Sequence, residues 1–199
     1  MVELTLPYIT FEKNVGFLLT KLNVYHIKYW RYGFYVHIFS SVLVLVAGFT
    51  QFSRTVLLKA PRVHRVMGYV YVVTLLFVSG PGAWALAFHA NGGIPARASF
   101  LSLTFLWYVF TVTAMVYVFR KNWNRHGNFM LRSYALTFSA ITLRLYAFGI
   151  DWFHLPIRPV EGYIGIAWLS WVPNLLVAEL LIRLGFVKRL FRAKRLAAQ

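Results

Sequence analysis

The sequence alternates between long apolar blocks and short polar segments rich in lysine and arginine. Five of the blocks approach the roughly 20 mostly apolar residues that a helix needs to cross a bilayer. They lie at residues 34–52, 66–88, 100–119, 129–150 and 163–184. Helices are expected because backbone polar groups in lipid must be satisfied within their own segment. The pattern therefore predicts an all-α, polytopic membrane bundle of about five transmembrane helices.

The segment before the first block has a different pattern. Apolar side chains such as Phe17 and Leu22 are interspersed with lysines between residues 9 and 31. This mixture is typical of an amphipathic helix at the membrane interface, and the lysines recur too often for a spanning helix. We therefore predict a single membrane domain over residues 1–199, which divides into an N-terminal amphipathic segment (1–33), the five-helix bundle (34–185) and a basic tail (186–199).

Composition agrees with a membrane protein. Of the 199 residues, 59% are apolar and only 13% are charged. A soluble domain is about half apolar and carries about a quarter charged residues, because its surface must be covered by polar groups. The chain has no cysteine, which excludes disulfides, thiolate metal sites and a cysteine nucleophile.

The basic residues fall on one side of the predicted bundle. They occupy the loops after the first and third blocks and the tail, whereas the other loops hold only Arg97 and Arg158. The positive-inside rule then predicts a cytoplasmic C-terminus in the bacterial inner membrane. The net charge of +16 is explained by this topology and by a tail on anionic lipid, so no nucleic-acid partner is expected.

The histidines suggest two layers of the bundle. His64 and His126 begin the second and fourth predicted helices on the inner side, and His37 and His89 lie on the outer side. Two histidines on facing helices can hold a haem iron. We therefore assign His64 and His126 as candidate metal ligands of a haem b that passes electrons to or from a quinone. The alternative is that they are interfacial side chains in a cofactor-free polar network.

Three charged residues lie more than two positions from either end of a predicted span, where charge is costly and usually faces a partner or a water-filled cavity. They are Arg132, Arg144 and Glu179. The helical rise puts Arg132 and Glu179 at similar depth, which predicts an ion pair between them. Arg132, Arg144 and His37 join His64 and His126 as candidate cofactor-binding residues. The alternative for each arginine is that it snorkels to the interface.

Three stretches combine histidines and arginines with apolar residues: HIFSSVLVLVAGFTQF (37–52), PRVHRVMGYVYV (61–72) and HGNFMLRSYALTFSAITLRLY (126–146). Together they resemble a bacterial membrane family of unknown function, number 2306 among such domains. The family pattern is a histidine on the first helix, HRxxGxxY, and HxxxMxRS followed by a second arginine. The resemblance implies no activity, but it implies a shared core of His37, His64, Arg65, Gly68, His126, Met130, Arg132, Ser133 and Arg144.

Two classes of function remain open at this point. The first is a redox protein that binds haem b or a quinone-like cofactor in a core lined by histidine and arginine. The second is a non-enzymatic membrane subunit or transporter-like protein that binds a lipid or a protein partner. The sequence does not decide whether the protein is an enzyme.

Overall fold

A computed structural model of the chain describes the backbone of residues 5–196 and the side chains of residues 5–191. Within that range the protein is all-helical and contains no strand. The helices are α1 (Lys28–Gln51), α2 (Arg54–Lys59), α3 (Pro61–Phe88), α4 (Gly93–Phe119), α5 (Trp123–Thr137), α6 (Ser139–Trp152), α7 (Pro159–Leu169), α8 (Val172–Arg183) and α9 (Phe186–Leu196). The predicted all-α bundle is confirmed.

Four helices of the described part are long and apolar enough to cross a membrane. They are α1, α3, α4 and the combined α7–α8 segment, with mean hydropathies between 1.6 and 1.8. Large apolar side chains such as Phe77 and Leu176 point outward from them, as expected for helices that face lipid. The predicted span over residues 129–150 is also helical, but it is divided between α5 and α6, which have 15 and 14 residues and do not belong to this group.

The N-terminal segment differs from the predicted continuous helix over residues 9–31. It forms two short 3₁₀ helices, Leu6–Tyr8 and Gly16–Lys21, before α1 begins at Lys28. Phe11 and Gly16 have positive φ angles of 55° and 48°, a conformation that ends right-handed helices. Tyr8 and Leu18 pack on the first turns of α1, so the segment is folded against the bundle.

Helix α3 contains a π-helical turn at Thr74–Ser79, in which the amide of Gly80 donates to the carbonyl of Leu75 five residues back. With the same five-residue spacing, the next hydrogen bond would run from residue 81 to the carbonyl of Leu76, but Pro81 has no N–H. The carbonyl of Leu76 instead accepts a hydrogen bond from the Tyr108 hydroxyl of α4, at 2.9 Å. A neighbouring helix thus satisfies a carbonyl that the proline leaves free at membrane depth.

The main core lies where α1, α3, α4 and α5 meet. Its buried residues include Val44, Tyr71, Trp107 and Met130, one from each helix. Close approach of α1 and α3 depends on Gly82, because a Cβ there would lie 2.4 Å from the carbonyl oxygen of Gly33. Helix α5 also packs on α8 and on the tail helix α9. This arrangement brings the N-termini of α3 and α5 together at one end of the bundle.

Candidate functional site: a cavity at the basic end

We call the end of the bundle formed by residues 51–68, 118–130 and the tail helix the basic end. It contains a cavity of about 770 Å³, and both His64 and His126 line it. The two histidines come from different helices and are far apart in sequence, so the fold creates their shared position. The structure therefore brings together the two residues that the sequence suggested as an inner pair.

Local sequence explains why each histidine lies in the first turn of its helix. Helix α3 begins with Pro61, whose fixed φ and missing N–H suit the first helical position. Helix α5 is capped by Asn122, whose side-chain oxygen accepts from the amide of Arg125 at 3.1 Å. The first turn of each helix lies at this end of the bundle, so both histidines are held in the wall of the cavity.

The His126 ring is fixed by a hydrogen bond. Its Nδ1 lies 3.0 Å from the carbonyl oxygen of Ala114 on α4. A carbonyl only accepts, so Nδ1 carries the hydrogen and the neutral ring keeps a lone pair on Nε2. On the α3 side, the Gln51 amide donates to the carbonyl of His64 at 3.2 Å, and Gln51 also lines the cavity.

The cavity wall changes character with depth. Its inner part is formed by buried apolar side chains, including Leu57, Val72 and Met130. Its mouth is formed by exposed basic side chains, Arg65, Arg120 and Lys121. The cavity is thus apolar inside and cationic outside, which suits an amphiphilic ligand better than a fully polar one.

The tail helix α9 covers one side of the cavity. Val187 of α9 is fully buried, and a Cβ on Gly127 would lie 2.5 Å from its Cγ1. Phe191, one turn later, contributes to the cavity wall. The glycine in the HGN sequence therefore lets the tail helix pack closely on α5. The side chains of Arg192, Lys194 and Arg195, which contribute to the predicted lipid-binding tail, lie outside the described residues.

A hydroxyl network lies two turns deeper than the histidines. The Tyr71 hydroxyl is 2.8 Å from the hydroxyl of Ser133 and 2.7 Å from that of Thr137. Thr111 is 2.7 Å from Ser133, and the indole N–H of Trp107 donates to Thr137 at 2.9 Å. All five side chains are buried. Hydrogen bonds within the network therefore satisfy polar groups that neither water nor lipid reaches.

The predicted ion pair between Arg132 and Glu179 is present. Arg132 donates from Nε to Glu179 Oε1 at 2.5 Å and from Nη2 to Oε2 at 2.9 Å, a two-point contact between α5 and α8. The guanidinium also lies over the Phe129 ring, 4.8 Å from its centroid. Arg132 does not line the cavity, so the pair holds two helices together beside it.

The other two candidate residues lie in the opposite half of the bundle. The Nδ1 atom of His37 is 2.9 Å from the carbonyl oxygen of Ser79, at the end of the π turn. Arg144 donates to the carbonyl of Ala140 on its own helix at 2.6 Å. Neither residue lines the basic-end cavity. His37 and Arg144 are thus apart from His64 and His126, although all four are predicted cofactor-binding residues.

The other outer histidine, His89, contacts α1 and its own helix. Its Nε2 is 3.1 Å from the hydroxyl of Tyr29, and its Nδ1 is 3.2 Å from the carbonyl oxygen of Ala85. Both ring nitrogens are therefore engaged. Within the part of the chain that the structure describes, no three His, Cys, Asp or Glu side chains gather as a metal site.

Comparison with known proteins adds a family assignment. The model of a family described as "Predicted membrane protein (DUF2306)" matches residues 34–182. The chain belongs to DUF2306. This confirms the resemblance seen in the sequence and identifies the chain as a predicted membrane protein. No curated protein and no solved structure matches this DUF2306 chain.

The DUF2306 motifs occupy distinct places in the structure. His64, Arg65 and Gly68 of HRxxGxxY and His126 and Met130 of HxxxMxRS line the cavity. The last residue of each motif, Tyr71 or Ser133, belongs to the hydroxyl network. Each lies seven positions after its histidine, which is two helical turns on the same face. That spacing was visible in the sequence, but Gln51, Trp107, Thr111 and Thr137 carried no comparable signal.

Proposed function

We propose that this DUF2306 protein binds a small amphiphilic molecule in the basic-end cavity, in contact with His64 and His126. One observation carries the proposal: the two motif histidines line the same cavity, about 770 Å³ in volume, whose inner wall is apolar. Sites for small ligands usually have this size, a mainly apolar wall and a few polar groups. In this account the protein is a non-enzymatic membrane subunit or a transporter-like protein.

The proposal is tested by identifying what the protein carries. Purify the full chain in a mild detergent and measure its mass under native conditions. We expect a non-covalent adduct that organic solvent extracts. The His64→Leu/His126→Leu variant should carry less of it than the His37→Leu variant, because His37 lies outside the cavity. Equal occupancy in the two variants would contradict the assignment of the site.

A second candidate ligand is haem b, held by His64 and His126 for electron transfer. It is favoured by the hydrogen bond from Nδ1 of His126 to the Ala114 carbonyl, which leaves the lone pair of Nε2 available to bind iron. Metal-ligating histidines commonly donate their other N–H to a carbonyl in this way. His64 and His126 would hold the iron, the haem would supply electron transfer, and a membrane quinone would then be the expected redox partner.

Visible absorption separates the two candidates. If haem b is the ligand, protein from cells supplied with haem shows a Soret band, and His64→Leu/His126→Leu removes it. The His37→Leu control should keep the band. A spectrum without a Soret band rejects haem. A colourless ligand would still be detected by the mass measurement. A band that survives the double substitution rejects these two ligands.

We also propose that the basic end faces the cytoplasm of a bacterial inner membrane. The support is the concentration of lysine and arginine in the loops and tail at this end. A reporter that works only in the cytoplasm, fused after Gln199, should be active. A fusion that is inserted and stable but inactive would show that the basic end faces the opposite side of the membrane. The same reporter inserted at residues 89–92, which connect α3 and α4, provides the matched control and should be inactive.

A further inference from the structure

We infer that the ligand of the basic-end cavity carries an anionic head group of the phosphate class. The inference rests on the proposed function and goes further by naming the chemistry of the ligand. It starts from the charges around the cavity. Arg65, Arg120 and Lys121 contribute three cations to the wall, and no described carboxylate lines it. A cavity with this charge excess stabilises an anion and disfavours a cation.

The positions of the cations fit a head group and not the whole ligand. Arg65, Arg120 and Lys121 are exposed, whereas Leu57, Val72 and Met130 behind them are buried. An anionic head at the mouth would therefore meet the basic side chains, and an apolar chain would extend inward. A guanidinium binds phosphate oxygens through two parallel hydrogen bonds, and a lysine provides a point charge.

Neutral donors at the mouth add to the same chemistry. Asn122, Trp123 and Asn124 line the cavity between Lys121 and His126, and each side chain carries an N–H group. The carboxylate of Glu179 on α8 is already paired with Arg132, and Glu179 does not line the cavity. The three basic side chains are thus not neutralised by a carboxylate of the wall.

The test compares probes that differ in one property. Titrate the purified full chain with short-chain phosphatidic acid, with phosphatidylcholine of the same chains and with inorganic phosphate, and measure apparent Kd. We expect phosphatidic acid to bind more tightly than phosphatidylcholine, and salt to weaken that binding. Competition by millimolar phosphate would indicate that a free anion suffices, whereas its failure would assign the head group to a lipid.

Two triple variants locate the effect. Arg65→Gln/Arg120→Gln/Lys121→Gln removes the cations of the cavity wall, and we expect about fivefold weaker binding for each one removed. Arg54→Gln/Lys59→Gln/Arg62→Gln removes the same charge from the same end without touching the wall, and binding should stay nearly unchanged. If the first variant fails to fold, the three single substitutions and the salt dependence of the wild type replace it.

The outcomes distinguish this inference from the proposed function. Equal affinity for phosphatidic acid and phosphatidylcholine would overturn the anionic head group while leaving an amphiphile site intact. Equal weakening by the two triple variants would assign binding to general surface charge and also overturn the inference. Absence of binding by every probe would contradict both proposals.

Discussion

The hydroxyl network and the basic-end cavity lie one above the other on the same helices, but the environments of their polar side chains differ. In the network, Tyr71, Ser133 and Thr137 are buried and bonded to one another. In the cavity, His64 and His126 face a space of about 770 Å³. The difference indicates that one region fixes how the helices pack and that the other is available to a ligand.

The two regions come from the same short motifs. In each motif the histidine lies in the first turn and the hydroxyl seven positions later, roughly 10 Å deeper along the helix. A single helix face therefore supplies both a residue that lines the cavity and a residue that packs in the network. Substitutions in the closed, fully paired regions should change stability, and substitutions in the cavity should change binding instead.

The largest effect on stability is expected at the closed contact between α5 and α8. Glu179→Leu leaves the Arg132 guanidinium without its carboxylate, and we expect a loss of about 2–4 kcal/mol in the free energy of unfolding. The value lies below that for a fully buried pair, because the two side chains are 19% and 36% exposed. Reversible unfolding in mixed micelles measures the loss.

The matched control for this pair is the double variant Arg132→Met/Glu179→Leu. It should be less destabilised than Glu179→Leu alone, because it leaves no unpaired charge. Strict additivity of the two single substitutions would show that Arg132 and Glu179 do not stabilise each other.

The next largest effect is expected in the hydroxyl network. Thr137→Val removes the oxygen that accepts from the Trp107 indole and contacts the Tyr71 hydroxyl. We expect a loss of about 1–2 kcal/mol in the free energy of unfolding, since both partners remain buried. Thr137→Ser keeps the hydroxyl and serves as the control. A valine variant as stable as the serine variant would contradict the role of the network.

A pH-dependent effect is expected at the opposite end of the bundle, where Lys21 is only 2% exposed and donates to Asn91 and His89. Burial, with a smaller contribution from the charge of Arg97, lowers the pKa of Lys21 from 10.5 to about 8. Between these values the unfolded chain holds a proton that the folded chain has lost. The free energy of unfolding should therefore rise with pH across this window.

Comparison with Lys21→Met isolates that contribution. The variant lacks the titrating group. The difference in free energy of unfolding between wild type and variant should therefore be constant below about pH 8, and above that pH the wild type should become more stable relative to the variant. A difference that does not change with pH would show that the pKa of Lys21 is not lowered by folding.

The smallest effect on stability is expected at the cavity mouth. Arg65→Gln and Lys121→Gln change exposed side chains and should alter the free energy of unfolding by less than about 0.5 kcal/mol. Their effect should appear in ligand affinity instead. A loss as large as that of Thr137→Val would remove the distinction between the two regions.

Hydrophobic pattern predicted the helices well, because membrane spans must be long and apolar. It also predicted the partner of Arg132, since a lone charge at that depth is costly. It could not predict the break of the N-terminal segment, which depends on the backbone conformations of Phe11 and Gly16. The sequence placed His37 in a different layer from His64 and His126, but it could not show that His64 and His126 line one cavity, because which helices face one another is decided by packing.

The tail shows a second limit of the sequence. Its many lysines and arginines indicated a segment on lipid head groups, and charge alone gave no reason to expect contact with α5. The contact depends on one glycine, Gly127, that lies far from the tail in sequence and leaves room for Val187. Such a pairing of a small residue with a distant large one becomes visible only when the helices are placed.

The central claim is that a ligand occupies the space between His64 and His126, and filling that space tests it most directly. Gly68 lines the cavity, whereas Gly149 faces open space on α6, so Gly68→Leu and Gly149→Leu add the same side chain inside and outside the site. Native mass spectrometry of the purified proteins compares their bound mass. We predict that Gly149→Leu keeps the adduct of the wild type and that Gly68→Leu loses it. An adduct retained in full by a folded Gly68→Leu protein would contradict the claim.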